Sequence, residues 1–110
     1  MMTDKVSKLL TPDIKSIILC GIESHVCVQG TALHLLDRGY DVHVVVDAVS
    51  SRSVHDRKVS MVRMSQSGAF LTTTESVILG LLADPSHPDF KQVQKLIMEP
   101  SNDTGLIFSF

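Results

Sequence analysis

Apolar and polar positions change rhythm several times along this chain, and each change predicts an element. Residues 16–22, Ser-Ile-Ile-Leu-Cys-Gly-Ile, run apolar without alternation between Lys15 and Glu23. A short run of that kind predicts a strand covered on both faces, as in a parallel sheet. From Ser24 the rhythm becomes helical: Val28, Ala32, Leu35 and Leu36 recur at helix spacing, and Gly39 supplies the stop, which predicts a helix from Ser24 to Arg38. Residues 41–48, rich in β-branched side chains, predict a second strand. Strand, helix, strand in close succession predicts a right-handed parallel crossover.

The pattern continues in the same style. A polar loop after Asp47 leads into a helix over 54–67, with Val59 and either Val62 or Met61 turned inward and Gly68 closing it. Residues 69–73 predict a third short strand, and Thr74 is expected to cap a helix that Pro85 ends. Residues 88–99 place Phe90, Val93, Leu96 and Ile97 on one helical face, and the tail from 100 to 110 is expected to be irregular. At the other end Val6, Leu9 and Leu10 mark a short helix behind Thr3, ended by Pro12. The fold class that follows is α/β, with a thin parallel sheet of about three strands and helices on both faces.

Composition narrows the function. The 110 residues fit one domain, and 44% hydrophobic with 20% charged residues describe a globular chain with an aliphatic core, since aromatics are 5%. A formal charge of -2 leaves no basic excess for a phosphate backbone, so nucleic acid is not an expected partner. No apolar run approaches the ~18 residues that span a bilayer, and no signal-peptide pattern opens the chain. Two cysteines make no disulfide framework and suit a reducing compartment, which places the chain in the cytoplasm. There is neither GxGxxG nor a P-loop, and the histidines His34, His43, His55 and His87 show no metal-type spacing, so no cofactor or metal is expected.

The chemistry concentrates in the stretch Cys-Gly-Ile-Glu-Ser-His-Val-Cys, residues 20–27. Cys27 falls in the first turn of the expected helix, just past the carboxyl end of a strand, where unpaired N–H groups favour a thiolate and a developing oxyanion. Ligands of open α/β sheets collect at that edge. The competing reading is an inert, buried sulfur, because free Cys is among the most buried residue types. Cys20, inside the strand, takes that bland reading. His25 is too close in sequence to Cys27 to face it and is expected to point to solvent or to cap. Asp47 ends the second strand on the same edge, followed by Ser50, Ser51, Arg52 and Ser53. It can border a ligand crevice, but a helix cap with a surface ion pair is the preferred reading.

These residues also carry a resemblance. Gly21, Ile22, Glu23, Ser24, Cys27, Val28, Thr31 and Ala32, then Asp-Arg-Gly at 37–39 and Asp-Ala-Val-Ser-Ser-Arg-Ser at 47–53, resemble the isochorismatase-like cysteine hydrolase superfamily. The likeness extends through 67–84, 87–97 and 104–107. It implies a Rossmann-like hydrolase fold and a Cys nucleophile at Cys27 that attacks an amide-like carbon to form a thioester. It also implies a cis peptide between Ile22 and Glu23 and an oxyanion hole made by the backbone N–H groups of Glu23 and Cys27.

The same resemblance implies a catalytic Asp on a preceding strand and a Lys shortly before the region where this chain begins. Asp4, Lys5, Lys8, Asp13 and Lys15 do not stand in that context. The chain is therefore expected to be the C-terminal part of one such domain and to have little or no turnover alone, since a positioned acid–base group contributes typically ~10²–10⁴-fold. Two partner expectations follow: a small-molecule substrate if the site works, or a protein partner or second copy at an exposed sheet edge, as in a non-catalytic interaction module.

Overall fold

The structure is a computed structural model and describes residues 2–100. The expected tail from 101 onward lies outside the described residues. The order is α1 (Asp4–Leu9), β1 (Ser16–Ile22), a single π turn (Ser24–Val28), α2 (Gln29–Asp37), β2 (Asp41–Ser50), α3 (Val54–Gln66), β3 (Phe70–Thr72), α4 (Thr74–Leu82) and α5 (Phe90–Ile97). The three strands form one parallel sheet in the spatial order β1-β2-β3. The α/β class and the parallel sheet match the sequence-based expectation.

Alternation along the strands sorts the helices into two layers. Val42 and Val44 are fully buried and join Val28, Ala32, Leu35, Val49, Met61, Met64 and Ala69 in the core, with Ile17 and Leu19 packed against it. This is the layer of α2 and α3. On the opposite face Ser16, Ile18, His43 and Thr72 meet Ser76, Val77, Gly80 and Leu81 of α4. There, His43 stacks on Phe70 with ring centroids 5.0 Å apart.

Local signals explain the boundaries. The Thr3 and Ser53 hydroxyls accept from the N–H groups of Val6 and Asp56, capping α1 and α3. Gly39 and Gly68 follow α2 and α3 at positive φ. The cap of α4 is Thr73, whose hydroxyl accepts from Ser76 N–H, so the expectation of Thr74 is off by one. Thr74 instead gives its N–H and hydroxyl to Asp47 at 2.8 and 2.9 Å. Asp47 thus serves the start of a helix, as preferred, and makes no ion pair among the described residues.

Three further expectations change. The inward face of α3 is Ser60, Met61 and Met64, so of the expected pair Met61 turns inward, while Val59 is 67% exposed and Val62 40%. Met61 and Met64, both fully buried, share that face with Ser60. Cys20 is exposed rather than buried, because β1 is an edge strand whose one sheet partner among the described residues is β2. The continuous apolar run had suggested cover on both sides. Finally, β2 extends to Ser50 through a register shift: Leu19 pairs with Val44, but Gly21 pairs with Val49. Gly21 adopts φ +119° at this shift, a conformation that a side chain would strain.

Candidate functional site

The register shift delivers the end of β1 to the start of the helix. Ile22 pairs with Ser50, and the peptide that follows, Ile22–Glu23, is cis, as the family resemblance implies. Glu23 is extended, and its carbonyl accepts from Val26 N–H at 3.2 Å and Val28 N–H at 3.1 Å, the second bond closing the wide π turn. Helices that begin this way differ from the regular helix expected from Ser24, and π turns occur frequently at functional sites.

Cys27 sits in the π turn and is half-buried. It lines an open cavity of about 230 Å³ with Leu19, Cys20, Ile22, Val28 and Thr31. Its sulfur is therefore not sealed in the interior. No charged side chain lines it, and apart from the two sulfurs and the Thr31 hydroxyl its polar surface is backbone. Glu23, Cys27 and the turn that joins them come together at the carboxyl end of β1, where the sequence placed them. Asp47 does not line this cavity, nor do Ser50 to Ser53.

Two serines and a histidine hold the turn in place, and these the sequence did not single out for that role. Ser24 is fully buried, and its hydroxyl lies 2.7 Å from that of Ser60 on α3. Ser60 Oγ donates to the Arg57 carbonyl at 2.7 Å, so Ser24 is the donor in the first bond. His25 is not simply solvent-facing: its Nδ1 is 2.8 Å from Ser51 Oγ. The Glu23 carboxylate lies 3.7 Å from Nδ1 and that of Asp56 lies 3.9 Å from Nε2, both partly exposed to solvent. The sequence signal for these contacts is faint, since Ser24 and Ser60 lie 36 positions apart.

Among the described residues no group of three or more His, Cys, Asp or Glu side chains is arranged to hold a metal ion. No helix is long and apolar enough to cross a membrane.

Comparison with known proteins agrees with this geometry. The isochorismatase domain family matches residues 2–76. The chain belongs to the isochorismatase family. Isochorismatase domain-containing protein 2 of Xenopus laevis is 59% identical over 112 aligned positions, covering 100% of this chain and 55% of that protein. The structure of MAR1 ribonuclease from Caenorhabditis elegans superposes with a TM-score of 0.91 at 50% identity, covering 100% of this chain and 57% of that one. YcaC from Pseudomonas aeruginosa, solved with hexane-2,5-diol and covalent acrylamide, superposes with a TM-score of 0.64 at 28% identity, covering 76% of this chain and 48% of that one. The chain thus spans about half the length of the relatives it matches. The isochorismatase-like assignment and the hydrolase-type α/β fold follow directly.

Proposed function

We propose that this chain carries the nucleophile-bearing part of a cysteine hydrolase that acts on small, uncharged, amide-like substrates. Cys27 Sγ adds to the substrate carbonyl carbon, the oxygen takes the negative charge, and the N–H groups of Glu23 and Cys27 receive it. Collapse breaks the C–N bond, the amine leaves with a proton, and a thioester to Cys27 remains. Water then cleaves the thioester, releasing the acid and restoring the thiol. The observation that carries this reading is the half-buried Cys27 on an open cavity, in the π turn that begins directly after Glu23. In support, the P. aeruginosa relative is described with covalent acrylamide, an amide-bearing electrophile.

The proton steps need an acid–base group, and no carboxylate or amine lines the cavity formed by the described residues. On this reading an acid–base group from outside the described lining of the cavity completes the site for turnover. Iodoacetamide labelling tests the nucleophile without requiring turnover. With Cys20→Ser, Cys27 should react faster at neutral pH than a free thiol of pKa about 8.5. A rate no higher than the free thiol's defeats the reading, and Cys27→Ala provides the blank.

A second reading is a non-catalytic module that binds a partner or a second copy through its sheet edge. The exposed apolar side chains of Ile18 at 46% and Ile22 at 71% on β1 favour it. Light scattering separates the two: a soluble, folded monomer at high concentration argues against this module. The C. elegans relative is named a ribonuclease, so a labelled RNA belongs in any activity assay. The net charge of -2 gives little attraction for such a substrate.

A further inference from the structure

Consecutive residues of the π turn reach two different parts of the segment that follows β2. Ser24 bonds inward to Ser60 in the body of α3, whereas His25 bonds sideways to Ser51, the residue directly after the end of β2. Ile22 already pairs with Ser50. The contacts therefore close a small ring: Ile22 to Glu23 through the cis peptide, on to His25, across the 2.8 Å bond to Ser51, back to Ser50 and across the sheet to Ile22. Glu23 lies inside this ring, and its amide plane is held at both ends.

From this ring we infer that the His25–Ser51 hydrogen bond is a latch that orients the Glu23 N–H and the Cys27 turn relative to the sheet, making His25 and Ser51 positioning residues for the Cys27 sulfur. Without the latch, the turn is still fixed from within by Ser24, but the turn's exposed side is free to swing away from β2. Catalytic donors act only when held in place before the charge develops. A misplacement of about 1 Å in such a site is enough to cost a large factor in rate. The latch deepens the hydrolase reading and rests on it in assigning Cys27 as the atom to be positioned.

The test uses the full 110-residue chain with Cys20→Ser, leaving Cys27 as its one thiol. Two quantities are measured: the iodoacetamide rate at Cys27, and hydrogen exchange of the Val26 and Val28 amides that bond to the Glu23 carbonyl. His25→Ala and Ser51→Ala should each slow alkylation by about five-fold, the rate equivalent of one ordinary hydrogen bond. Each should also speed exchange at Val26 and Val28 while leaving the amides of β2 protected. The double variant should be no slower than either single one. His25→Asn, whose amide can occupy the place of Nδ1, should restore both quantities. Unchanged alkylation and exchange, additive losses, or an Asn variant as impaired as the Ala variant would overturn the latch. If the parent Cys27 proves no more reactive than a free thiol, the hydrolase reading fails, and the exchange at Val26 and Val28 still decides whether the latch exists.

Discussion

The two faces of the sheet are built from comparable sequence and end in opposite states. On one face α2 and α3 bury Ala32, Leu35, Ser60, Met61 and Met64 against Val42 and Val44. On the other, α4 holds no buried residue and its Leu81 is 73% exposed; α5, later in the chain, also holds none, and its Leu96 is 76% exposed. Yet α5 has the clearer two-sided pattern, and α3 is the more polar helix. Amphipathic periodicity therefore announces a helix and its preferred face, but burial depends on what lies opposite. Across from α3 is the π turn, whose buried Ser24 hydroxyl meets that of Ser60. Near α4 the sheet offers the polar Ser16, His43 and Thr72 beside Ile18. The π turn with Cys27 belongs to the well-packed face.

Substitutions can put this contrast under strain. The largest effect is expected from Leu35→Ala: Leu35 is 1% exposed, and emptying such a site costs about 2–5 kcal/mol in chemical denaturation. Next comes Ser60→Ala, which leaves the buried Ser24 hydroxyl without its acceptor, a loss of about 1–3 kcal/mol. That variant should also accelerate exchange in the π turn. Leu96→Lys on the outer face should stay within about 0.5 kcal/mol of the parent in the same denaturation, and a loss like that of Leu35→Ala would show that α5 is covered in solution.

The smallest effect concerns Asp84, between α4 and α5. The backbone N–H of Ser86, with a further contribution from its side chain, holds this carboxyl below its ordinary value. A group depressed on folding adds stability that is present above its unfolded pKa and disappears as pH falls through the folded one. The Asp84 carboxyl resonance should therefore titrate below the ordinary carboxylate range, and Asp84→Asn should remove that transition with little change in stability near neutral pH.

Much of this was legible beforehand because the signals were local. The apolar run at 16–22, the Thr3 cap, the glycines at 39 and 68 and the placement of Cys27 past a strand end all act over a few residues. What escaped depends on distant partners. Cys20 looked buried because an unbroken apolar run does not reveal whether a second neighbour strand stands beside it. Val59 looked inward because it is apolar, whereas the face that packs holds Ser60 beside Met61, one of the two alternatives expected there. His25 looked idle because Ser51 reaches it only after the shift between Leu19 and Gly21 has brought the end of β2 alongside Ile22. The cis peptide after Ile22 and the place of Cys27 in the turn past β1 were readable in the motif; the bonds that hold that turn were not.

Spatial order in the sheet follows chain order, and this bears on how the molecule assembles. Ser16 pairs with Asp41, 25 positions on (41 minus 16), and His43 pairs with Phe70, 27 positions on (70 minus 43). Loop-closure entropy rises only with the logarithm of length, so the two pairings are almost equally costly to initiate. Neither closure must wait for the other. The middle strand is the common template on which both neighbours are laid down, and substitutions in β2 should slow folding more than equally destabilising ones in β1 or β3.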